Sequence, residues 1–157
     1  MKRHIVLGLL LSAVAVPAAT AETAPAAVTF EEGAVAQSLT GAAGDPAEGA
    51  KVMSNRALGN CVACHTVSAM PDVAFQGDVG PSLDGAADRW EEAQLRGIVS
   101  DAKMTFDGTV MPSFYKTGPY VRPGDAFTGK AAEGELPPLL TAQQIEDVVA
   151  YLLTLKE

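Results

Sequence analysis

The chain has 157 residues, with 11 Lys and Arg against 19 Asp and Glu. That length predicts one folded domain, and the acidic excess excludes nucleic acid and anionic membrane surfaces as partners. Two cysteines and two histidines leave few side chains for metal chemistry.

Residues 1–21 read as a signal peptide. Met1-Lys2-Arg3-His4 is a basic start, Ile5 to Val16 is an apolar run too short to span a bilayer, and Ala19-Thr20-Ala21 is an A-x-A cleavage site. Cleavage is expected before Glu22, which makes the protein an exported one in an oxidising compartment. Loss of Lys2 and Arg3 leaves nine basic residues against nineteen acidic ones, a net charge near −10. Loss of His4 leaves His65 as the sole histidine. No later stretch is apolar for long enough to insert in a membrane.

Residues 22–44, rich in Ala, Gly and Thr, read as an N-terminal arm, too long to bury itself fully against a small core and therefore expected to lie across a partner. The folded domain is expected over 45–157. Asp45-Pro46-Ala47-Glu48 has an N-cap acid, a proline at the first helical position and a glutamate at the third, so a helix is predicted from there to about Ala57, with Gly59 ending it. Asp88-Arg89-Trp90-Glu91 repeats the pattern and predicts a second helix, with Trp90, Leu95, Ile98 and Val99 at roughly helical spacing. Thr141-Ala142-Gln143-Gln144 predicts a third, whose apolar face is Ile145, Val148, Val149, Leu152 and Leu155. Between these starts the chain is dense in Gly, Pro and Asp, with Pro112, Pro119, Pro123, Pro137 and Pro138 in one loop, and there is no alternating β pattern. The fold class is all-α: short helices and long loops. Loops of this length need an organising centre, and a large prosthetic group would provide one.

Cys61-Val62-Ala63-Cys64-His65 is where such a group would attach. A structural zinc site needs four ligands, and two cysteines and one histidine leave it short. A thioredoxin-like pair belongs after a strand of a βαβ unit, which is not predicted here. A disulfide across two residues closes too small a loop to stabilise much. C-x-x-C-H as a c-type haem attachment site accounts for every residue: two thiols add to the two haem vinyls, and His65 reaches the iron as an axial ligand. The second axial ligand cannot be histidine. Of the methionines, Met53 lies inside the first helix and Met70 is only five residues past His65. Met111, in Val110-Met111-Pro112-Ser113-Phe114 and 46 residues past His65, is the first choice, since proline sets the backbone before it for presentation from a loop. Met104 is the second choice. A His/Met pair favours ferrous iron relative to bis-histidine. In Gly80-Pro81-Ser82-Leu83-Asp84-Gly85, the Pro81 carbonyl is the candidate acceptor that orients His65; the alternative is an ordinary Gly-Pro turn.

With these residues in place the chain resembles the class I cytochromes c. The elements are "CVACH", "GPSLDG", "MPSF" and a closing helix, "QIEDVVAYLLTL". In that family the first and last helices cross at a glycine, and Gly49 and Tyr151 match those positions, while Met53 stands where an aromatic is usual. A narrower resemblance covers "FEEGAVAQSLTG", "GDPAEGAKVMSNRALGNCVACH", "GDVGPSLDG" and "MPSFY". It is to the SoxX family, monohaem subunits of the SoxXA cytochromes of sulfur-oxidising bacteria. The resemblance implies one covalently attached haem c, a SoxA-type cytochrome as heterodimer partner, and a shared oxidative coupling of thiosulfate to a cysteine of the carrier SoxYZ. It places the reactive cysteine on SoxA and leaves electron transfer, not catalysis, to this chain, with a further electron acceptor downstream. A free-standing electron shuttle and a haem-based ligand sensor are the alternatives; the sensor would need a weak or vacant sixth iron site.

Overall fold

The structure, a computed structural model, describes residues 21–120 and 130–157. The leader expected over 1–21 lies outside them except for Ala21, as does Pro123. Among the described residues there are four α-helices: α1 (Pro46–Ser54), α2 (Ala86–Arg89), α3 (Glu92–Asp101) and α4 (Ala142–Leu152). Single 3-10 turns stand at Pro25–Ala27, Cys61–Ala63 and Ala102–Met104. No strand forms among them, and one isolated bridge joins Glu31 to Ala34. No helix among them is long and apolar enough to cross a membrane.

The first and third predicted starts form as read. Asp45 accepts hydrogen bonds from the N–H groups of Ala47 and Glu48, two donors that an α-helix leaves unpaired at its N-terminus. Thr141 and Gln144 make a reciprocal capping box. The α1 helix ends at Ser54, earlier than Ala57, because Asn55 turns to extended backbone and gives its N–H to Lys51. The second start is corrected. The main helix of that region begins at Glu92, not at Asp88, because Trp90 is extended and breaks the α2 turn before α3 can start. Gln94 Oε1 accepts from the Glu91 N–H at 2.9 Å, so the cap is Glu91. Asp88 instead accepts from the Glu157 N–H, tying the C-terminus to α2.

Helices α1 and α4 pack face to face over a core that includes Met53, Ile145, Val148, Val149 and Leu152, with Leu155 just beyond α4. Their approach is close. A Cβ on Gly49 would lie 2.0 Å from the Asp147 carbonyl oxygen and 2.9 Å from Tyr151 Cβ, so only glycine permits this crossing.

The segment 22–44 packs partly on this core and leaves most of its residues exposed or half-buried. Val35 and Leu39 are buried in the core. Val35 donates its N–H to Ala93 O at 2.8 Å, and Leu39 donates its N–H to Glu146 Oε1 at 2.6 Å. Glu146 in turn pairs with Arg96, whose Nε lies 3.0 and 3.1 Å from its two oxygens. Arg96 also donates to Val35 O and to Glu92. Both charges of the Arg96–Glu146 pair are almost fully buried, at 3% and 4% exposure, and their further hydrogen bonds go to the backbone of the arm and to Glu92. Gly33 passes so close over α3 that a Cβ on Gly97 would lie 1.9 Å from its carbonyl oxygen. Val35 and Leu39, with Val28 and Phe30 packed partly buried beside them, and the buried ion pair hold this segment on the domain.

Candidate haem site

The C-x-x-C-H stretch opens with Asn60 in left-handed backbone at φ +47°, which asparagine tolerates better than most residues. A 3-10 turn over Cys61–Ala63 follows. It brings both thiols and His65 into half-buried positions within one turn. The two thiols are not joined in a disulfide. Burial pushes the Cys61 thiol up to about 11, so it is held neutral.

The loop after the motif forms a wall behind it. Gly77 donates its N–H to Val62 O, Gly80 to Cys64 O and Leu83 to Thr66 O, at 2.8, 2.8 and 2.9 Å. Two glycines are required for this approach. A Cβ on Gly77 would lie 2.1 Å from Ala63 O, and one on Gly80 would lie 2.3 Å from His65 Cε1. With Gly80 flat against the imidazole, Pro81 O lies 2.6 Å from His65 Nδ1. A carbonyl only accepts, so Nδ1 carries a proton, and in the neutral imidazole Nε2 then keeps its lone pair. Further along, Asp84 accepts from the Ser68 N–H and hydroxyl at 2.9 and 2.6 Å. Those bonds hold its carboxyl below the usual value of 3.8 and close the wall at its far end.

The methionines separate by environment. Met53 and Met70 are buried in the core. Met104 ends the 3-10 turn after α3 and is half exposed, at 51%. Met111 is partly buried against the core in the loop that follows. Its N–H donates to Thr109 Oγ1 at 3.2 Å, and its carbonyl accepts from Lys103 Nζ. Two residues on, Ser113 Oγ donates to Asp101 Oδ1 at 2.6 Å. Burial works against the Asp101 carboxylate, but bonds from Ser113, the Lys103 N–H and Lys116 outweigh it and hold its carboxyl below 3.8.

Two parts of this site were missed in the sequence. Gly80 was read only as a turn residue, although a glycine one position before the candidate acceptor Pro81 was a usable signal. Lys103 and Asp101 could not be linked to the Met111 loop from spacing alone.

The residues fit a covalently held haem. Two unpaired thiols lie a turn apart, a histidine with a free Nε2 follows them, and a glycine lies where a Cβ would displace the imidazole. A family model for cytochrome c matches residues 46–156. Among solved structures, a chain in the crystal structure of SoxXA from P. pantotrophus is 64% identical to this one, with a TM-score of 0.85, over 87% of this chain and 100% of that one. No curated protein matches. The chain belongs to the cytochrome c family, as a haem c protein with the class I fold, and its identity over the full length of the P. pantotrophus chain makes it a subunit of the SoxX type.

Proposed function

We propose that this chain is the electron-transfer subunit of a SoxXA-type complex in the periplasm, paired with a SoxA-type cytochrome. In this reading, Cys61 and Cys64 hold the haem through thioether bonds. His65 Nε2 is one axial ligand, set by Gly80 behind the ring and by the Pro81 carbonyl at Nδ1. Met111 is the other, with Met104 as second choice. When bound, the haem supplies a one-electron ferric/ferrous couple.

The observation that carries the reading is the 64% identity extending over 100% of a chain of that complex. The cysteine inventory agrees with it. The chain contains two cysteines, and both are committed to haem attachment, so no thiol is left here to act as a nucleophile. Joining thiosulfate to a carrier thiol forms a sulfur–sulfur bond and releases two electrons. The thiol proton leaves to solvent, and a subunit with one one-electron centre takes the electrons singly, so the second is held on the partner's haem or follows once the first has passed to the downstream acceptor. The bond-forming cysteine belongs on the SoxA-type partner, and the carrier SoxYZ docks transiently.

The test is a rapid-mixing experiment with the oxidised chain, a SoxA-type subunit, a reduced SoxYZ-type carrier and thiosulfate. Reduction of this chain's haem should require all of the other three components. Reduction by thiosulfate and carrier without the partner, or no reduction with every component present, would contradict the assignment.

A further inference from the structure

We propose that the N-terminal segment acts as a strap that positions the loop bearing Met111, fastened through the Tyr115 hydroxyl. The inference rests on the reading of Met111 as an axial ligand.

The loop has no regular secondary structure of its own between the 3-10 turn at Ala102–Met104 and Gly118. Met111 is therefore placed by whatever holds the loop. On its inner side, Tyr115 donates its N–H to Ser100 O and Leu140 donates its N–H to Phe114 O, both at 3.0 Å. On its outer side the holding group is the arm. Tyr115 is 3% exposed, and its hydroxyl lies 2.7 Å from Thr23 O and 3.0 Å from the Glu22 carboxylate. Thr23 donates its N–H to Leu39 O at 2.7 Å, and Leu39 donates its own to Glu146. A continuous series of hydrogen bonds thus runs from the methionine loop through the arm to the buried Arg96–Glu146 pair. The Tyr115 contact therefore serves both ends. It fixes the start of the strap and closes the loop.

Tyr115 is a positioning residue on this account. It acts through Met111 by lowering the fraction of time the loop stands open. Removing one hydrogen bond worth about 1 kcal/mol raises that fraction about fivefold.

The experiment compares the ferric holoprotein with its Tyr115→Phe and Glu22→Ala variants. It reads the rate of cyanide binding and the weak sulfur-to-iron charge-transfer band at the red edge of the visible spectrum. Phenylalanine keeps the ring packing and loses only the hydroxyl. Glu22→Ala replaces an exposed side chain outside the core and serves if Tyr115→Phe folds poorly. Cyanide should bind about fivefold faster to Tyr115→Phe, and faster to Glu22→Ala as well. Met111→Ala should abolish the band, and Tyr115→Phe added to it should change the cyanide rate no further. If Met111→Ala removes the band while both strap variants bind cyanide at the parent rate, the strap is overturned and the ligand reading stands. If the band survives in Met111→Ala, both fall.

Discussion

His65 depends on two backbone features as much as on its own chemistry. Gly80 lets the loop lie against the imidazole, with 2.3 Å between a hypothetical Cβ and Cε1. Pro81 fixes the Nδ1 proton. Gly80→Ala must push the ring away from the carbonyl, because the backbone at Gly80 is pinned by its bond to Cys64 O. Loss of that acceptor makes the imidazole a weaker donor. Added imidazole should then displace His65 about tenfold more readily or better, and the reduction potential should rise, as read by spectroscopic redox titration. A variant with parent-like competition and potential would show that this contact does not tune the ligand. Tyr115 makes a prediction in pH. Burial, with the bond to Glu22 and its charge, pushes the phenol from 10.0 up to about 12. The folded chain holds this proton more tightly than the unfolded one. The contribution to stability is therefore complete below pH about 10 and is lost as pH rises through about 12. Urea midpoints taken across that window should fall more steeply for the parent than for Tyr115→Phe, and parallel curves would remove Tyr115 from the account.

At the scale of elements, the α1–α4 crossing is the least forgiving contact. A Cβ on Gly49 would meet backbone, the Asp147 carbonyl at 2.0 Å, and backbone cannot rotate aside. Gly49→Ala should destabilise the fold by about 1–3 kcal/mol or more, seen as a lower urea midpoint with an unchanged slope. A midpoint within error of the parent would mean that the helices do not cross there. Legibility in the sequence follows the range of the interactions concerned. The caps at Asp45 and Thr141 were readable because cap, proline and glutamine lie within one turn. The haem motif was readable for the same reason, being five consecutive residues. The start of α3 was misplaced because Glu91 is a rare cap and Asp88, three residues earlier, is a better one locally; only the extended backbone at Trp90 rules it out. The packing of the arm was not readable at all. Leu39 is held by Glu146, 107 residues away, and Arg96 and Glu146 give no local sign that they will be buried together. A glutamate inside the α4 stripe, next to Ile145, was the one available hint.

For the whole molecule, the surface left to partners is smaller and more defined than an unattached arm would leave. Residues 22–44 contribute Val35 and Leu39 to the core, so the arm is part of the body a partner would meet. Exposed apolar side chains remain at Phe75, Val79, Met104 and Val110. Phe75 and Val79 lie in the loop behind His65, and Met104 and Val110 lie on the segment leading to Met111. Exposed apolar side chains on the segments that follow His65 and lead to Met111 suit a site where electrons leave through close contact. The most direct measurement of the central claim is the mass of the assembly formed when the holoprotein is mixed with a SoxA-type subunit, taken by sedimentation at micromolar concentration. The account predicts a stable 1:1 complex that retains this chain's haem spectrum. Two separately sedimenting monomers would contradict it and leave a free-standing electron shuttle.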